Sequence, residues 1–226
     1  MESKAPSPAT ENPEISVLGQ LLSRKFLCLM AAAFLAYANI SVFFGFVDYL
    51  HTLPILPADY GLLIGVLAAV SLIVRPIISP FFRSGNARPL LFLGTGLAVC
   101  SLAAYSLASG FWSMILVRCL HGISFAVLGT ALMTLVVDVI PREKSAQFFG
   151  YLAVATLLPN TLIPPFLPFL QTHLGGFTRI LLLFAALTQI DEVVDDIALV
   201  GAMEDQPAAV ARTVLQDDRG ALDRAD

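Results

Sequence analysis

The chain has 226 residues, of which 57% are hydrophobic and only 13% charged, whereas charged residues make up about a quarter of an ordinary soluble domain. That composition excludes a water-soluble globule and makes lipid the main solvent of the fold. The formal charge of −4 averages two unlike regions: ten acids and three arginines lie from Gln189 onward, while ten basic and seven acidic residues precede it.

In chain order, residues 1–23 are polar and acidic with a weak amphipathic stretch at Ile15, Leu18 and Leu22. They read as a cytosolic arm and not as a removable signal peptide. Five apolar runs follow that match the roughly 20 helical residues needed to cross about 30 Å of hydrocarbon: Phe26 to Val47, Gly61 to Phe82, Leu90 to Ala108, Phe111 to Val139 and Ala146 to Leu170. A sixth, Phe177 to Ile190, rises only about 21 Å and is too short to span comfortably. Helices are the expected element, because unpaired backbone groups in lipid cost several kcal/mol each and the alternating pattern of a barrel strand is absent. Residues 24–189 are therefore expected to form an all-α membrane half-bundle of six helices, the sixth incomplete. Residues 190–226, beginning with Asp191-Glu192-Val193-Val194-Asp195-Asp196, are expected to be a disordered acidic cytosolic tail. The abrupt change at Gln189 suggests that the reading frame departs there from an ancestral, longer protein.

The connectors set the orientation. Arg24 and Lys25 precede the first run, Arg83 and Arg88 lie between the second and third, and Arg142 and Lys144 lie between the fourth and fifth. The alternate connectors, 48–60, 109–110 and 171–176, hold no Lys or Arg. Positive residues mark the cytoplasmic side, so the N-terminus is expected in the cytoplasm of a plasma or inner cell membrane.

Polar groups inside spans are costly, and Asn39, Arg75, Arg118 and His121 are candidates on that ground. Arg118 and His121 share one helix face with Gly122, Phe125 and Gly129. A polar cavity and a tight helix–helix seam both explain such a face. Arg75, about 10 Å from its helix end, can snorkel to the interface, and Asp138 reads as an interfacial acid among basic loop residues. Pro159, Pro164, Pro165 and Pro168 make the fifth run a bent or broken helix, with the first three as hinge candidates. Cys28, Cys100 and Cys119 lie in apolar runs and give no disulfide framework. His51, His121 and His173 have no metal-ligand spacing.

The stretch Arg118-Cys119-Leu120-His121-Gly122 resembles the Arg-x-x-x-Gly motif in the fourth helix of the major facilitator superfamily. Asp138, Pro141, Arg142 and Gly150 resemble its junction between spans four and five. Arg75-Pro76, then Arg83-Ser84-Gly85 and Arg88, resemble its loop between spans two and three, with Phe82 where the family carries an aspartate. The resemblance covers about residues 24 to 188, one six-helix half, and implies a truncated N-terminal half of a secondary transporter for a small solute, with possible efflux, that is inactive alone. It implies substrate or cavity roles for Arg118, His121 and Asn39, and a conformational latch built from Arg75, Arg83, Gly85, Arg88, Asp138 and Arg142. It also points Arg118 and His121 toward the surface a second half would cover, so that Arg118→Ala would leave stability unchanged or raised. The expected partners are the lipid bilayer, a small solute with proton coupling and a second transporter half; no nucleic acid, cofactor, metal or enzymatic role is expected. The alternative is a non-transporting half-bundle that pairs with or regulates a separate partner.

Overall fold

A helix crosses lipid because it satisfies its backbone N–H and C=O groups within the segment, and the computed structural model, which describes residues 24–83, 85–140 and 142–189, places helices over every apolar run. The first span begins as α1 (Arg24–Ser41), tightens through a 3-10 turn at Val42–Gly45 and ends as α2 (Phe46–Leu50). It is followed by α3 (Tyr60–Ile78), α4 (Ala87–Ala104), α5 (Phe111–Val139) and α6 (Ser145–Leu174). The short apolar helix α7 is described over Phe177–Gln189. Among the described residues, five segments are long and apolar enough to cross a membrane, with mean hydropathies between 1.4 and 2.3. The N-terminal arm and the acidic tail expected from the sequence lie outside the described residues.

The helix ends have local causes. At the start of α5 the Ser113 hydroxyl reaches back to accept from the Gly110 N–H at 3.1 Å, pairing a donor that a helix start leaves free. At the end of α6 the N–H groups of Gly175 and Gly176 both bond to Gln171 O. Gly175 holds φ at +74°, a left-handed conformation that glycine adopts without a Cβ penalty. This cap is why the helix runs to Leu174 and α7 can start at Phe177.

The helix α5 is the centre of the bundle. Both α3 and α4 pack along it, while α1 packs on α6 and, less extensively, on α5. Helix association in lipid relies on close packing, since hydrocarbon tails are as apolar as leucine. Two glycines supply that closeness. A Cβ on Gly94 of α4 would fall 2.7 Å from the Leu128 backbone nitrogen, and one on Gly122 of α5 would fall 2.8 Å from the Leu67 carbonyl oxygen of α3. By contrast, α3 and α6 bury little of themselves, with only 11% and 17% of their most apolar stretches inside the structure. The core is divided between the two ends of the bundle. Phe46, Leu50, Leu63, Tyr105, Met114 and Ile180 belong to one cluster; Leu29, Ala33, Leu128, Leu132, Val136 and Phe148 belong to the other.

Of the bent or broken alternatives for the proline-rich helix, the broken one does not occur. Helix α6 is continuous for 30 residues with Pro159, Pro164, Pro165 and Pro168 all inside it. Each proline removes one amide donor, but unwinding the segment in lipid would release many more. Local side chains add bonds: Thr172 Oγ1 donates to Pro168 O at 2.9 Å, and Asn160 Nδ2 to Thr156 O at 3.4 Å. Asn160 also ties α6 to α1 by accepting from the Ser41 hydroxyl at 2.7 Å.

Candidate functional site

The face of α5 that carries Arg118, His121, Gly122, Phe125 and Gly129 is turned toward α3 and the first span. Arg118 donates from Nε to Leu63 O at 2.8 Å and from Nη2 to Ile64 O at 3.4 Å, both on α3. Its guanidinium carbon lies 4.1 Å from the Phe46 ring centroid and 4.9 Å from that of Phe43. None of these contacts is to a carboxylate. The positive charge therefore rests on carbonyl dipoles and aromatic faces, in a geometry suited to cation–π attraction.

His121 sits beside it. Its Nδ1 is 3.2 Å from the Tyr105 hydroxyl, and its ring lies 5.0 Å from Phe43 and 5.9 Å from Tyr105. The Tyr105 hydroxyl also interacts with the Arg118 guanidinium. Tyr105 is fixed in turn by Tyr49, whose hydroxyl donates to Tyr105 O at 3.2 Å and whose ring stacks on Phe177. Thus one network joins the first span, α4, α5 and the start of α7.

The expectation that Arg118 and His121 lie on an uncovered surface is corrected here. They are only 3% and 2% exposed, inside the half-bundle. The reason is packing: Gly122 lets α3 close onto α5, bringing the carbonyls of Leu63 and Ile64 over Arg118. Arg118 nevertheless contributes to the wall of one cavity. A groove of about 270 Å³ between the first span and α3 is lined by Ile40, Phe43, Phe44, Ile64, Leu67, Ala68 and Arg118.

Arg75 does not extend along its helix to the interface. Its guanidinium lies across α5, 5.3 Å from the Phe125 ring centroid, with Nη2 only 3.1 Å from where a Gly129 Cβ would stand. Phe125 in turn meets the edge of Tyr37 at 5.9 Å. Asn39 is 3% exposed, and among the described residues its Oδ1 has no hydrogen-bond partner and no hydrogen bond joins it to Arg118 or His121.

The residues expected to form a latch lie at the opposite end from Tyr105. Arg83 and Gly85 are exposed in the turn before α4, where Asn86 Oδ1 accepts from the Arg83 N–H at 2.7 Å. Arg88 is half-buried in the first turn of α4, Asp138 is exposed in the last turn of α5, and Arg142 is exposed beyond it. Neither Arg88 nor Asp138 is without a partner. Among the described residues, no group of three or more His, Cys, Asp or Glu side chains could hold a metal ion.

The sequence reading missed Phe43, Phe46, Tyr49 and Tyr105. A signal existed for the first three, which recur at spacings of three and so share a helical face. It also missed a second cavity of about 290 Å³, with Asp48, Thr52, Gln171 and Thr178 among its lining residues, where the first span, α6 and α7 meet.

The five long apolar helices among the described residues lie within residues 27–190 but for the first turn of α1, and the model of the Major Facilitator Superfamily matches that stretch. The chain belongs to the major facilitator superfamily. No curated protein matches it. Membership makes this a multi-pass protein of the lipid bilayer, of a family of secondary transporters of small solutes and not of enzymes. The match spans α1 to α7 and includes Arg118, His121 and Arg75.

Proposed function

We propose that the bundle is one half of a secondary transporter for a small solute, oriented with its N-terminus in the cytoplasm of a plasma or inner cell membrane, and inactive until a second bundle packs against it. The observation that carries this reading is the groove between the first span and α3. It has a fixed guanidinium in an otherwise apolar lining, and α3, which forms one wall, is little buried. A transport path needs an opposing wall, and in this family's architecture the substrate lies between two repeats that rock about it.

Within this reading Arg118 contacts the solute and His121 is the titratable group available for proton coupling. Asn39 offers a further acceptor through its unpaired Oδ1. Arg75, Arg83, Gly85, Arg88, Asp138 and Arg142 form the latch, and Pro159, Pro164 and Pro165 mark where α6 flexes.

The test is flux in proteoliposomes containing the chain alone or with a co-expressed second six-helix bundle. Flux is expected only with the second bundle, and His121→Gln is expected to abolish the response to a pH gradient while leaving solute exchange. Flux by the chain alone would overturn the requirement for a second half. A stable complex with no flux for any solute would favour a regulatory half-bundle.

A further inference from the structure

We propose that the groove between the first span and α3 binds a small organic monoanion with an apolar body, its anionic end on Arg118. The proposal names the ligand class of the transport site proposed above and so rests on that reading, although binding requires only this bundle.

The lining decides the chemistry. Apart from Arg118, every lining side chain is apolar: Ile40, Phe43, Phe44, Ile64, Leu67 and Ala68. Arg118 itself is 97% buried, and its position is fixed by Leu63 O, Ile64 O and the rings of Phe43 and Phe46. A guanidinium has five N–H donors and here gives two of them to carbonyls. Those carbonyls and ring faces carry only partial charges, so among the described residues the formal charge of Arg118 is not neutralised by what surrounds it. A carboxylate or phosphate monoester would neutralise it through short charge-assisted bonds.

Selectivity follows from the same features. Among the described residues no acid lines the groove, so a cationic ligand meets only repulsion from Arg118. A neutral ligand gains the apolar contacts but leaves the charge uncompensated. Phe43 and Phe44 favour a flat or extended hydrocarbon body, and a volume of about 270 Å³ lies near the lower end of small-molecule pockets. Such a ligand could come from water, as an aromatic carboxylate, or from the bilayer, as an acyl anion; the shared chemistry is one anion on one apolar body.

The experiment uses the purified full chain in nanodiscs of zwitterionic lipid, with binding read by titration calorimetry and saturation-transfer NMR. The probes are 2-naphthoate and octanoate, each beside its neutral alcohol. Both acids, or one of them, are expected to bind at least tenfold more tightly than the matching alcohol. Tighter binding of naphthoate points to the aqueous source and of octanoate to the bilayer. Arg118→Gln should weaken acid binding at least tenfold and alcohol binding little. Ala68→Phe, which fills the groove without altering charge, should abolish both.

Equal affinity for acid and alcohol overturns the proposal. So does Ala68→Phe binding the acids as the wild type does, a result that stands even where Arg118→Gln fails to fold. These readouts are independent of flux. A chain that binds the acids selectively yet supports no flux with a second bundle would sink the transport reading and leave this one intact.

Discussion

Buried cations in membrane proteins are usually discussed with an acid in mind, yet Arg118 rests on two phenyl rings and two helix carbonyls. A desolvated cation–π contact contributes about 0.5–2 kcal/mol, and the side chain also fills the space where the first span, α3 and α5 converge. Removing it trades a costly buried charge against a large void. Truncation leaves the void, and large-to-alanine changes in cores cost about 2–5 kcal/mol. Arg118→Ala is therefore expected to lower the unfolding temperature in detergent by several degrees, reversing the expectation drawn from sequence. Arg118→Met, which keeps most of the volume and drops the charge, should lose less. Wild-type stability in Arg118→Ala would show that the convergence point holds together without this side chain. Tyr105→Phe removes the bond to His121 together with the contact to the Arg118 guanidinium, and should cost about 1–3 kcal/mol in the same assay. The hydrogen-bond acceptors of Arg118 were not legible from one sequence, because they are backbone oxygens of α3, and a backbone oxygen has no residue type. The shared face of Arg118, His121 and Gly122, and the spacing of Phe43 and Phe46, were readable, since helical spacing is local.

At the scale of helices, apolar run length was a reliable guide. The limits of α5 are those of its run, Phe111 and Val139. The deviations have causes. The first span reaches Leu50 because a helix end tolerates the exposed Asp48, and α4 stops at Ala104 because the chain then turns through i→i−3 bonds at Ser106, Leu107 and Ala108. Of the two outcomes the prolines allow, bent or broken, the break is the one that α6 avoids, since proline counts take no account of what lipid adds to the cost of unwinding. Glycine pairs were less legible still: nothing in the sequence separates Gly94, pressed against Leu128, from Gly96 two residues on, where an added Cβ would meet nothing within 4 Å. That contrast is testable. Gly94→Ala forces α4 away from α5 and should cost about 1–3 kcal/mol, as overpacking does. Gly96→Ala should be neutral or stabilising by up to about 1 kcal/mol through helix propensity. Thermal unfolding of the two variants in the same detergent checks this, and equal behaviour would mean that α4 and α5 are not in close contact at Gly94.

For the whole molecule, the orientation inferred from Lys and Arg in alternate connectors remains the most accessible property. Thr52 and Gly85 lie at opposite ends of α3 and are both exposed. In a background with Cys28, Cys100 and Cys119 replaced, a cysteine at Thr52 is expected to react with an impermeant maleimide added to intact cells. One at Gly85 should react only after permeabilisation. The converse pattern would invert the bundle in the membrane and place the Arg83 turn outside.

The dependence of both α3 and α4 on α5 also fixes an order of assembly. During synthesis α3 and α4 leave the ribosome before the helix against which both pack. Until residues 111–139 enter the bilayer, α3 lacks its principal neighbour, and Arg75 has neither Phe125 nor the recess at Gly129 to lie in. The arrival of α5 brings Arg118, whose insertion alone costs about 2.5–3.5 kcal/mol, to carbonyls that α3 already presents. Nascent chains arrested before residue 111 should thus be open to membrane proteases and insertion chaperones, and chains extended past residue 139 should become resistant in one step.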